Sequence, residues 1–304
     1  MSRKMRGNLM LLFTAFIWGA SFVAQISGTK EIGTFTFNFS RNIVASLSLF
    51  ILIQLWPYIM KTPMKKETDK IKKYTIMGGV ACGVIITFAM SFQQLGLTGP
   101  NATTAGKAGF ITALYIVLVP LTGIFIGKRI SIKTWACVFL ATIGLYLLSI
   151  KQGFSIQSGD LLVLVSAFFY ALHILIIDYF SPKSNGVKLS MIQFIIAAFL
   201  SGVIMFFIED VVWKDVLNSA IPILYAGMIT SGVGFTLQII AQKDTDPTMA
   251  SLILSLESVF AVLAGAIILG ERLSSREAIG VTIMFVAIVL AQIPSSKIKK
   301  PRNI

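Results

Sequence analysis

The sequence predicts an all-α membrane protein of ten spanning helices, arranged as two inverted five-helix repeats around a central cavity. Three observations predict it. Of 304 residues, 56% are hydrophobic and 13% charged, and the mean hydropathy of +0.83 lies outside the range of soluble domains. Windows of about 20 apolar residues, enough to cross a ~30 Å hydrocarbon core, recur ten times. The string GKRIS at Gly127–Ser131 returns as GERLS at Gly270–Ser274, each time closing one apolar stretch and opening the next. Five stretches precede the end of each copy, and an odd number of crossings brings the second copy into the bilayer from the opposite side.

The stretches fall at 8–27, 34–56, 73–96, 100–126, 132–150, 159–180, 187–208, 217–241, 247–269 and 274–293. Arg3, Lys4 and Arg6 precede the first, whose long core lacks a small-residue cleavage site and so reads as a retained helix. Trp56, Tyr58, Tyr74, Trp135, Tyr179 and Trp213 mark helix ends, where amphipathic rings sit at the interface. The longest connection, Pro57–Lys72, is a basic turn too short to hold a domain. Pro100, Pro120 and Pro247 start or bend their helices. Gly79/Gly83 and Gly123/Gly127 have the small-xxx-small spacing of close helix packing, with homodimer formation as its second use. Cys82 and Cys137, the two cysteines of the chain, fall inside helices as small apolar residues and build no disulfide framework.

The net charge of +13 follows the loops rather than a nucleic-acid patch. With the N-terminus inside, nineteen of the 26 Lys and Arg residues lie on the inner side. Six lie outside, Arg41 among them, and Lys107 is within a helix. The positive-inside rule then puts both termini in the cytoplasm.

An offset of 152 pairs Trp18 with Tyr170 and Ser21 with His173; an offset of 147 pairs Ser91 with Gln238. Thr14, Trp18, Ser21 and Gln25 share one face of the first helix, and Ser166, Tyr170 and His173 repeat that spacing in the sixth. Thr87, Ser91, Gln94 and Thr98 form a similar stripe in the third. Polar atoms facing lipid are costly, so such stripes face protein or water. Lys107, seven residues after Pro100, and Glu257, ten after Pro247, are ~10 and ~15 Å along their helices and need partners. Neither has a charged counterpart in the other repeat. Two readings stand: the charges contact a cargo, Lys107 a carboxylate and Glu257 an amino group or a proton, or they neutralise each other or bond to backbone as structure. His173, the single histidine, is a packing residue or a proton relay. No metal site accompanies it.

The run GKAGFITALYIVLVP from Gly106, WGASF around Trp18 and SLESVFAVLAGAIILGERLS from Ser255 resemble the EamA-type family of the drug/metabolite transporter superfamily, over nearly the whole chain. The resemblance implies residues 1–150 and 151–304 as two EamA repeats. It also implies an inner-membrane carrier of amino acids or other small metabolites, often an exporter, with a cavity between the halves. The cavity wall is then expected from helices 1, 3, 4, 6, 8 and 9, with Trp18, Ser21, Gln25, Ser91, Gln94, Lys107, Tyr115, Tyr170, His173, Gln238 and Glu257 as contacts. A secondary carrier alternating access between its repeats needs no cofactor. A sensor or assembly component on the same scaffold would want an output domain, and the connections offer none. Asn101–Ala108 lacks the first glycine and final hydroxyl of a phosphate loop, and neither H-E-x-x-H nor G-x-S-x-G occurs, so the sequence supports no enzyme. The expected partners are a small-molecule substrate and the lipid bilayer.

Overall fold

The computed structural model describes residues 1–61, 67–149, 157–269 and 274–293. Gly270–Leu273 of the second motif lie outside the described residues, as do Lys65, Lys66, Lys151, Arg272, Lys297, Lys299, Lys300 and Arg302. The described chain is helical throughout. The spanning helices are α1 (Arg3–Gly28), α2 (Thr34–Tyr58), α3 (Asp69–Gly96), α4 (Ala105–Phe125), α5 (Ile132–Ser149), α6 (Ser158–Lys183), α7 (Gly186–Ile208) and α8 (Ala220–Ala241). They continue with α9, in two pieces at Pro247–Leu254 and Glu257–Leu269, and α10 (Ser275–Gln292).

Helix pairing displays the duplication directly. Exchanging α1–α5 with α6–α10 maps the packed pair α1/α8 onto α6/α3, α1/α9 onto α6/α4 and α2/α8 onto α7/α3, while α2/α7 and α5/α10 map onto themselves; every one of these pairs is in contact. The glycines repeat the symmetry at atomic scale. A methyl group on Gly83 of α3 would stand 2.6 Å from Ile196 Cβ and 2.8 Å from Gln193 O of α7; on Gly227 of α8 it would stand 2.6 Å from Val44 Cβ and 2.8 Å from Arg41 O of α2. Gly79 packs on Ile192 in the same way, the close approach that small-residue spacing provides. The expectation for Gly123/Gly127 fails: Gly123 meets only Lys128, and Gly127 ends α4 with a φ of +82° and open space beside it. It is a turn glycine.

At α5/α10 the two-fold contact is reciprocal. A methyl on Gly144 would meet Gly280 O at 2.7 Å and Met284 N at 2.9 Å, and one on Gly280 would meet Gly144 O at 2.6 Å and Leu148 N at 2.7 Å. Backbone atoms cannot rotate out of the way, so Gly144→Ala must push the helices apart. Overpacking of this kind costs about 1–3 kcal/mol. We expect the variant to melt several degrees below the parent in a detergent thermal-shift assay, with transport per folded molecule nearly unchanged because neither helix reaches the cavity.

The helix ends on each face are also cross-braced. Glu209, after α7, accepts from Phe35 N (2.9 Å), Thr36 N (2.8 Å) and Thr36 Oγ1 (2.7 Å) at the start of α2. On the face that holds the N-terminus, Glu67, before α3, accepts from Asn185 Nδ2 (2.9 Å) and pairs with Lys188 Nζ (2.7 Å) at the start of α7. Each carboxylate therefore holds the other repeat's second helix, Glu209 by taking backbone donors that a helix start leaves open and Glu67 through the side chains of Asn185 and Lys188.

Candidate substrate cavity

Between the repeats lies a cavity of about 350 Å³ of space unfilled by atoms, its mouth included. It is lined by Trp18, Ser21, Phe22 and Gln25 from α1, Arg41 from α2, Gln93 from α3, Thr112 and Tyr115 from α4, Tyr170 from α6, Thr230 and Phe235 from α8, and Glu257 from α9. Several of these side chains sit at breaks in their helices. α1 is interrupted at Ala20, α4 at Leu114 and α9 at Ser255–Leu256; α8 is wound as a π-helix over the 11 residues Tyr225–Phe235, a geometry that often accompanies functional sites.

The breaks are satisfied by neighbouring helices. Tyr225 OH donates to Ile17 O at 3.2 Å, Trp18 Nε1 donates to Thr230 O at 3.1 Å, and Ser258 Oγ donates to Gly109 O at 3.1 Å. Thr14 Oγ1 donates to Gly234 O at 3.3 Å, and the Trp18 ring lies 4.6 Å from that of Phe235. Trp18 is thus seated in the widened turn of α8. Just beyond it, Gly19 lets α1 rest on α9: a methyl there would stand 2.7 Å from Phe260 Cβ, 2.9 Å from Ala261 N and 3.0 Å from Glu257 O.

Two polar chains cross the cavity wall. Tyr170 OH donates to Gln93 Oε1 at 3.1 Å, and Gln93 Nε2 donates to Thr112 Oγ1 at 2.9 Å. Tyr115 OH donates to Glu257 Oε1 at 3.2 Å. Arg41 Nε and Nη2 donate to Ser231 Oγ at 3.4 and 3.2 Å, with the guanidinium 5.8 Å from the Phe37 ring centroid. Arg41 and Glu257 are 2% and 3% exposed. Neither forms an ion pair among the described residues, an expensive state for opposite charges in one apolar surrounding.

Of the residues expected at the cavity, Trp18, Ser21, Gln25, Tyr115, Tyr170 and Glu257 line it. Five others do not. Lys107 is in the first turn of α4, because Thr104 rather than Pro100 caps that helix; there it pairs with Asp160 at the start of α6. Lys107 and Glu257 therefore do not neutralise each other. His173 is bonded to Gln193 Oε1 at 3.1 Å and packs edge-on against Phe235, behind the lining. Gln94 reaches back to Gln25 O (3.2 Å) and Thr29 Oγ1 (3.1 Å). Ser91 and Gln238 are buried outside the lining.

The sequence reading missed Arg41, counting it with the outer-side charges although it is seven residues inside the stretch that begins at 34. A helix-internal arginine with no acidic residue one turn away was the available clue. Gln93, Thr112 and Thr230 were also missed. Spacing alone does not distinguish them from residues bonded helix to helix.

The model of the EamA-like transporter family matches residues 5–150 and again 157–292. An uncharacterized transporter of Archaeoglobus fulgidus is 29% identical over 294 residues, covering 96% of this chain and 87% of its own. One of Clostridium kluyveri is 21% identical over 300 residues, covering 94% and 92%. A crystal structure superposes with a TM-score of 0.72 at 16% identity, over 94% of this chain and 98% of the other; this likeness speaks for the fold.

Proposed function

The chain belongs to the EamA-like transporter family, and we propose that this multi-pass membrane transporter carries a small zwitterion of the amino-acid type by alternating access between its repeats. The observation that carries the reading is the pair of buried ionisable side chains of opposite kind in one cavity, Arg41 from the first repeat and Glu257 from the second, neither with an ion partner among the described residues. A carboxylate on the cargo complements the guanidinium fork. An ammonium complements Glu257, whose Oε1 Tyr115 already orients. Trp18, Phe22 and Phe235 supply apolar surface for the rest. Arg41 takes the role that the sequence suggested for Lys107. With basic residues concentrated on the face that holds the termini, we place both termini in the cytoplasm of the cell membrane, and the direction of physiological flux as export.

Counterflow in proteoliposomes tests the cargo class. Liposomes preloaded with unlabelled neutral amino acids are expected to accumulate their labelled forms, while the decarboxylated amines and the deaminated acids compete at least about tenfold more weakly, since each lacks one charge-assisted bond. Equal competition by amines, acids and zwitterions would overturn the reading. So would failure of the whole amino-acid panel with a protein shown folded by its melting transition.

A further inference from the structure

Beside Arg41, α2 carries a second line of polar side chains. Thr34, Asn38, Asn42 and Ser46 recur at every fourth residue, the spacing of one helix face, over ~18 Å of helix. All four are buried, Asn38 and Asn42 completely. Arg41 is the α2 residue that lines the cavity, and none of these four is among the lining residues. A contact at the upper end of the line says what that end faces: Thr34 Oγ1 is 3.3 Å from Thr98 Oγ1, just past the end of α3. The two helices touch and run in opposite directions, so each turn down α2 comes opposite one turn back along α3. Extrapolated from that one contact, an antiparallel register would pair Asn38 with Gln94, Asn42 with Ser91 and Ser46 with Thr87.

The facing atoms do not close on one another. Both amide atoms of Asn38, both of Asn42, Ser91 Oγ and Gln94 Oε1 have no hydrogen-bond partner among the described residues. Interiors rarely tolerate so many orphaned polar atoms together; native proteins satisfy such groups with ordered water. The line meets the cavity wall one turn in from Thr34 and Thr98. Gln94 Nε2 donates to Gln25 O at 3.2 Å, and Gln25 lines the cavity with its own Oε1 unpartnered.

We propose that α2 and α3 enclose a file of ordered water running from Thr34 and Thr98 at one membrane face to the cavity at Gln25 and Arg41. A metal cation is the poorer occupant, because Arg41 stands on the same helix with no ion partner among the described residues. Water there would serve guanidinium donors that Ser231 does not take.

Single cysteines in the full-length protein test the file without reference to any cargo. In a Cys82→Ala, Cys137→Ala background, reconstituted in liposomes, Asn42→Cys and Ser91→Cys are treated with neutral 2-hydroxyethyl methanethiosulfonate and the adducts read by mass spectrometry. Gln25→Cys serves as the cavity reference and Ala45→Cys, buried and apolar on the same helix, as the dry one. Thiolates form only where water reaches, so both seam cysteines are expected to react within about tenfold of Gln25→Cys and about a hundredfold faster than Ala45→Cys. Rates as slow as Ala45→Cys would overturn the file. Should the cysteine variants misfold, Asn42→Leu decides. It breaks hydrated bonds and lowers the melting temperature by about 4 °C or more if the seam is wet. If the seam is dry it removes two orphaned atoms and raises the melting temperature, and the proposal falls.

Discussion

Replacing Arg41 with glutamine is expected to raise the KM for a zwitterionic substrate by about a hundredfold or more. Loss of one charged partner from a desolvated pair costs about 2–5 kcal/mol, much of it the penalty of leaving the other charge unpaired, and 1.4 kcal/mol is tenfold. The decarboxylated amine has no carboxylate to lose, so its weak transport should change little. That selectivity separates recognition from structure. Fold stability should hold or improve, because removing a buried charge that has no ion partner among the described residues relieves a desolvation cost. Arg41→Lys keeps the charge but loses the planar fork, and should fall between the two. Initial rates in proteoliposomes over a substrate concentration series, with both cargo forms and both variants, provide the check. An equal loss for zwitterion and amine would assign Arg41 to structure.

Gly19→Ala is the second large effect, and it reaches both stability and transport. The added methyl meets Ala261 N and Glu257 O, backbone atoms of α9, at 2.9 and 3.0 Å. The neighbouring helix must move as a body, at about 1–3 kcal/mol. Trp18 and Glu257 flank the contact, so the displacement separates Trp18 from its seat at Thr230 and shifts Glu257 relative to Tyr115. A shift of 1 Å at a binding group costs on the order of a hundredfold in rate. We expect a lower melting temperature together with a kcat reduced tenfold or more, whereas Gly144→Ala lowers only the melting temperature. If Gly19→Ala transports normally, the α1/α9 crossing does not position the site.

How much of this could be read beforehand differs by element. The helices were legible because apolar runs of membrane length have few alternatives, and the duplication was legible because it is written in GKRIS and GERLS. The stripe Trp18, Ser21 and Gln25 reached the cavity because a four-and-three spacing fixes a face whatever the helix packs against. Lys107 was misread for a local reason. Thr104 caps α4 four residues after Pro100, and those residues form a turn that brings the lysine to the surface beside Asp160. Arg41 was misread by charge counting, which puts an arginine near a helix end with the outer-side charges. The π-helix of α8 left no mark: the contacts made inside it, Trp18 to Thr230 O and Arg41 to Ser231 Oγ, come from residues about 200 positions away in the chain.

The crossed carboxylates carry a consequence for biogenesis. Phe35 and Thr36 present their amides when α2 enters the bilayer, but Glu209 follows Thr36 by 173 residues. At about 5–20 residues per second of synthesis, α2 waits roughly ten seconds or longer for its cap. Lys188 and Asn185, by contrast, emerge to find Glu67 already made, 118 residues earlier than Asn185. The second repeat is therefore born onto a template, while the first is finished only when its twin arrives. A ribosome halted just before residue 209 would leave seven helices made, the second of them with its start still open to water.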